Sequence, residues 1–246
     1  MHIPDGFIDL TVSVAAVAIA IPTVAVATRR AGHQMADREI PLAGLVVAYL
    51  VVAQLLVFPV GLGTSAHLIG TGLALVLVGP WVTTACVAIV LVLQSLLFAD
   101  GGISALGLNL INTGLVPVAV GWAVLTVVLG RVHGSRPVLP SMFTGKRRAS
   151  MAEPGRGRIM VAAGLAAGVG AFAGAVAFCV EYAIGRTGDA PVALITTGFL
   201  GAHVVIAVLE GLLTALIIGA LLRTRPDLVL RWRRPTQAAD DPVRVP

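Results

Sequence analysis

LIGTGLALVLVGPWVTTACVAIVLVLQSLL, residues 68–97, runs for thirty residues without a charge, and its centre decides the architecture. An α-helix rises about 1.5 Å per residue, so one helix of this length would reach about 45 Å, well beyond the ~30 Å of bilayer hydrocarbon. Gly79-Pro80 lies near its middle. That pair breaks a helix, because proline has no amide hydrogen to give and its ring crowds the preceding turn. The stretch therefore reads as two crossings, 67–78 and 81–98, joined by a tight turn.

The same reading carried outward gives five more apolar stretches, 8–28, 41–58, 104–129, 159–184 and 192–222, for seven in all. With 57% hydrophobic residues, 12% charged and a mean hydropathy of +0.96 over 246 residues, the chain holds more apolar surface than a soluble core could hide. Aromatics are few at 5% and glycines number 28, a balance that suits close small-residue contacts between helices in lipid. The expected fold is an all-α, polytopic bundle of about seven transmembrane helices.

Charge orients the bundle, because short cytoplasmic loops collect Lys and Arg. With seven spans, 16 of the 17 basic residues fall on one side, and only Arg186 joins Asp5, Asp9, Asp100 and Asp189 on the other. The N-terminus is thus expected outside and the C-terminus in the cytoplasm of a multi-pass cell-membrane protein. Without the short third span this parity is lost. Residues 1–222 form the expected transmembrane domain, with a basic cytoplasmic loop at about 130–158 and a basic tail at 223–246. The net charge of +5 is topogenic by this reading, with contact to anionic lipid as the alternative and no nucleic-acid role. No Lys or Arg precedes Arg29, so a cleaved signal peptide is not expected and Met1 is expected as the mature terminus. The bulky His2 should also protect Met1 from trimming. Cys86 and Cys179 sit within apolar runs and read as packing residues.

Met1-His2-Ile3-Pro4-Asp5-Gly6 opens the chain as a polar, turn-prone segment on the outer side, free to fold back among the helices. A free amine on Met1, the backbone nitrogen of His2 and its imidazole can chelate one ion through fused five- and six-membered rings. Such planar nitrogen ligation favours Ni(II), Cu(II) or low-spin Co(II) over zinc or magnesium. His67, at the outer end of the third span, is the candidate fourth donor. Each histidine taken alone also reads blandly, His2 as a solvated terminal residue and His67 as a polar packing residue. His203 and Glu210 lie two helical turns apart on the last span and share one face. They are candidate supports for the site or members of interhelical hydrogen bonds. Asp5, Ser65 and Asn109 are further candidates around the metal, with Gln54, Gln94 and Asn112 reading mainly as interhelical contacts. Glu181 is expected to reach the membrane interface.

The heptapeptide ending at Phe7 resembles the N-terminal signature of the metal-binding S components of energy-coupling-factor transporters, the CbiM (cobalt) and NikM (nickel) family. Further resemblance lies in Gln54 with Phe58-Pro59, Gly63-Thr64-Ser65-Ala66-His67-Leu68, Gly79-Pro80-Trp81, Gln94 through Gly102, Ala105 through Asn109, and His203 with Glu210-Gly211. It implies Met1 (amine), His2 (backbone and ring nitrogens) and His67 as ligands of Co(II), with Ni(II) as the alternative cargo and no organic cofactor. It also implies partners: a transmembrane coupling (T) component, two cytoplasmic ATPases and a small accessory membrane subunit. Three positions depart from the family pattern. Val57 stands where Asn is common, Ala66 where Gly is common and Thr113 where Met is common; the ligand set is untouched.

No G-x-x-x-x-G-K-[ST] phosphate loop occurs, since Thr144-Gly145-Lys146-Arg147 lacks both the leading Gly and the following Ser or Thr. ATP must then be hydrolysed by another chain. A self-sufficient secondary transporter would instead carry acidic or His residues along several spans, which are sparse here. A membrane metalloenzyme would need an open coordination position beside an acid or base.

Overall fold

The computed structural model describes residues 2–61, 64–130 and 154–230, so Met1 and most of the expected loop and tail lie outside the described residues. Asp9 starts α1 (Leu10–Gln34) by turning its carboxylate onto the free amides of Thr11 and Val12, at 2.7 and 3.0 Å. A single 3₁₀ turn leads to α2 (Ile40–Gln54). Next come two short antiparallel strands, β1 (Val57–Gly61) and β2 (Thr64–His67), with Val57 opposite His67 and Phe58 opposite Ala66.

The chain is all-helical as expected apart from this small hairpin, which moves His67 out of the third span onto β2. Pro59 cannot continue a helix, and Val57, Phe58 and Val60 favour extended backbone. The apolar run is too short for its period to separate strand from helix.

α3 (Thr71–Leu97) contains the expected break: Gly79 has φ 81° and ψ 172°, a conformation that residues bearing a Cβ avoid. Pro80 removes the amide that would have bonded the Val76 carbonyl. The Leu230 amide, from the turns after α7, donates to that carbonyl at 3.1 Å, and Val229 and Leu230 are buried with Leu73, Val76 and Leu125. His67 lies just before α3 and Asp100 just after it, yet both meet His2. A straight helix of 27 residues would hold them about 40 Å apart, so α3 doubles back at Gly79.

α4 (Leu106–Leu110) passes through a π turn (Ile111–Leu115) into α5 (Val116–Leu129). The Thr113 hydroxyl donates to the Asn109 carbonyl at 2.6 Å, and Pro117 supplies no amide to the ladder, two local causes for the wide turn. α6 (Arg156–Gly185) and α7 (Val192–Thr224) complete the bundle. Among the described residues, five helical stretches are long and apolar enough to cross a membrane: α1, α3, Leu106–Leu129, α6 and α7. α2 is apolar but has only 15 residues.

Small residues let the helices approach. A Cβ on Gly168 would stand 2.7 Å from the Ala207 carbonyl oxygen, so α6 and α7 touch backbone to backbone there. α7 buries Phe199, His203, Ile206, Glu210, Thr214 and Ile218 along one face, as the helical period predicts for His203 and Glu210.

Candidate metal centre

From His2 on, the N-terminal segment folds back into the bundle as a strap with a turn at Asp5-Gly6. Ile3 is buried: its amide donates to Asn109 Oδ1 at 2.7 Å, and its carbonyl accepts from Asn109 Nδ2 at 3.2 Å and from the Gly102 amide at 2.8 Å. One α4 side chain thus satisfies both backbone polar groups of a buried residue, which would be costly to leave unpaired. Asp5 Oδ1 accepts from the Ser104 amide and hydroxyl at 2.8 and 2.6 Å, and these bonds hold its carboxyl below the usual range. The Thr187 hydroxyl donates to the Gly6 carbonyl at 2.6 Å and the Asp9 amide to the Gly185 carbonyl at 2.6 Å. Phe7 stacks on Tyr182 at 5.3 Å. The close approach depends on Gly102, where a Cβ would stand 2.4 Å from the Asp5 backbone nitrogen.

The strap delivers His2 to His67. Their ring centroids are 4.5 Å apart with the planes tilted by 47°. His2 Nδ1 meets Asp100 Oδ1 at 2.9 Å, and the His2 side chain is only 4% exposed. His67 Nδ1 faces the Leu68 carbonyl at 2.9 Å, an acceptor, so that nitrogen carries the hydrogen. Among the described residues, the buried Nε2 atoms of both rings have no hydrogen-bond partner. Burial pushes both imidazoles below the ordinary histidine value, His67 further, despite the opposing pull of Asp100 on His2. The hydrogen bond from His2 in turn holds Asp100 below the usual carboxylate range. Two neutral rings, each held by one nitrogen and bare at the other, are the form in which imidazole binds a transition metal.

The remaining expected residues divide. Asn109 anchors the strap. Asp5 is exposed and fixes the strap to the loop before α4. Ser65 contributes backbone to β2 opposite Pro59. Glu210 finds its partners in backbone: the amides of Ile69 and Gly70 donate to its Oε1, the latter at 2.9 Å. It thereby ties α7 to the segment just after His67, and it caps the positive start of α3. His203 is fully buried, with Nδ1 facing the Phe199 carbonyl at 2.8 Å and, among the described residues, no partner at Nε2. Gln54 lies beside His2 and donates to the Ile69 carbonyl at 3.2 Å. Glu181 does not reach outward as expected. It turns inward and accepts from Asn112 Nδ2 at 2.6 Å, because a carboxylate this close to the bundle gains more from a buried donor than from solvent it only partly reaches. Cys86 and Cys179 are free and buried.

Asp100 is the neighbour that spacing did not reveal, since it closes on His2 only after α3 has doubled back. Among the described residues no three His, Cys, Asp or Glu side chains gather at metal-binding distance, so a larger donor set needs other kinds of group.

Residues 2–228 match the family model described as CbiM, cobalt uptake substrate-specific transmembrane region. A fused nickel transport protein NikMN of Rhodobacter capsulatus is 30% identical, over 96% of this chain and 65% of its own length. A cobalt transport protein CbiM of Geobacter sulfurreducens is 30% identical over 94% of this chain and 62% of its own. The chain therefore spans a little under two thirds of these two relatives. A solved structure described as a truncated transition metal transporter shares the fold with a TM-score of 0.74 at 23% identity, covering 91% of this chain and 99% of that one.

Proposed function

The chain belongs to the CbiM family of multi-pass membrane proteins, and from that membership and the paired imidazoles we propose that it captures a divalent transition metal for ATP-driven import. The observation that carries the reading is the meeting of His2 and His67, 4.5 Å between centroids, each with a buried and unpartnered Nε2. Such groups are costly to bury unless something pairs with them: a metal ion pairs with His67 Nε2, and turning the His2 ring brings its Nε2 to Asp100 while offering Nδ1 to the same ion. The amine of Met1, the backbone nitrogen of His2, the His2 ring and the His67 ring complete a planar set of four nitrogens. Closing the six-membered ring uses His2 Nδ1, so the imidazole turns about its Cβ–Cγ bond on loading.

Co(II) is the proposed cargo and Ni(II) the alternative. The relatives named for each metal are equally similar, so identity does not choose. In this reading the chain crosses the membrane seven times, α3 counting twice, with the N-terminus outside and the C-terminus inside. The transmembrane domain is 1–222, with its loop at about 130–158, and 223–246 is a basic tail. A transmembrane coupling (T) component, two ATPases and a small accessory membrane subunit supply the energy and the release. The Rhodobacter relative, named as a fused protein and longer than this chain, supports an additional subunit.

Metal analysis and Co(II)/Ni(II) competition binding on the purified chain test this, repeated with one residue added before Met1. The extension removes the chelating amine, and high-affinity binding should vanish with it. Unchanged affinity would take the terminus out of the site.

A further inference from the structure

Asp100 reaches His2 through a turn built for that purpose. Ala99, at the exit from α3, has φ +50°, a left-handed conformation that residues with a Cβ rarely adopt. The Asp100 amide then donates to the Gln94 carbonyl at 3.1 Å. Gly101 follows at φ +90°, where a Cβ would stand 3.4 Å from His2 Cβ. Three successive residues thus bring one carboxylate, 34% exposed, against one edge of a nearly buried ring.

We propose that Asp100 is the positioning residue of the metal site: it holds the hydrogen on the His2 nitrogen that faces it and leaves the other ring nitrogen bare for the metal. The inference rests on His2 being a ligand. A half-turn about Cβ–Cγ exchanges Nδ1 with Cδ2 and Nε2 with Cε1, so Nε2 arrives on the edge where Nδ1 had been. The carboxylate then accepts from Nε2–H while Nδ1 is offered to the metal. In either orientation the edge facing Asp100 carries the hydrogen. Carboxylate–histidine pairs of this kind fix ring orientation and make the bound nitrogen a better donor.

The full chain in detergent, labelled with ¹⁵N-histidine and with His2→Gln as the assignment control, reads the tautomer directly. Without metal, His2 should carry its hydrogen on Nδ1, Asp100→Ala should lose that state, and Asp100→Glu should partly restore it. With Ni(II) or Cu(II), Asp100→Ala should bind about 10–100-fold more weakly while the visible absorption bands of the planar nitrogen site keep their positions. An unchanged tautomer, or affinity within about twofold of the parent, overturns the proposal; if Asp100→Ala does not fold, Asp100→Asn is judged by the same two measures. His67→Ala and the N-terminal extension separate the readings. If they leave affinity intact, the ligand set is wrong, and the tautomer still decides whether Asp100 orients the ring.

Discussion

At the scale of single residues, burial makes the two imidazoles acid-sensitive. Both are held below the ordinary value of 6.5 by desolvation. As pH falls through that value the unfolded chain takes up protons that the folded chain refuses, so more protons are bound in the unfolded state. Stability therefore rises with pH, and it is lost as pH drops from about 6.5 toward the lowered folded values. The melting temperature of the metal-free protein should fall between pH 7.5 and pH 5.5, and His67→Gln should flatten the fall; parallel curves for parent and variant would sink this assignment. Metal affinity should fall over the same direction of pH, because protons and metal compete for the same lone pairs. His2 and His67 were legible because a polar N-terminal segment and a lone outer-end histidine share one side of the membrane. Asp100 was not, because its pairing depends on where a distant helix end returns.

Elements set that return. Gly79-Pro80 announced a break, and the break is there, but the sequence does not say that the ends on either side converge on His2. Replacing Gly79 by Ala forces a Cβ into a conformation open mainly to glycine, at a cost of about 1–3 kcal/mol. Pro80→Ala should be milder, since it only returns an amide toward Val76, which Leu230 already satisfies. Thermal melts should rank Gly79→Ala as the more destabilised of the two, and metal affinity should fall with it because His67 and Asp100 separate; the reverse order would refute the hinge. Asn109→Ala tests the strap. It strips the buried Ile3 backbone of two bonds, worth roughly 1–3 kcal/mol, and should expose the N-terminal segment to protease while weakening metal binding at least tenfold. An equally protected terminus would mean the strap is held elsewhere. The β-hairpin was the element least visible beforehand, because its nine residues offer too few periods and its proline suits a helix end as well as a strand edge.

For the whole molecule the open quantity is direction. The buried share of α3's apolar window is 61% and that of α1 and α7 only 22%, so α3 is the inner element and α1 and α7 turn most of their apolar surface outward. Composition does not rank the helices in this way, since all are comparably apolar, whereas the charge asymmetry used to assign a direction is legible in the sequence. α7 runs about 50 Å from the end that holds the strap to the end that carries Arg223. If basic residues stay in the cytoplasm, Thr187, bonded to Gly6, faces outside and Thr224 faces inside. Single cysteines at those exposed positions decide it, because Cys86 and Cys179 are buried and should resist a charged, membrane-impermeant maleimide. Intact cells should label Thr187→Cys, and Thr224→Cys should label only after lysis. The opposite pattern would open the imidazole pair to the cytosol, where metal arriving from outside could not reach it first, and capture for import would have to be abandoned even if every ligand were correct.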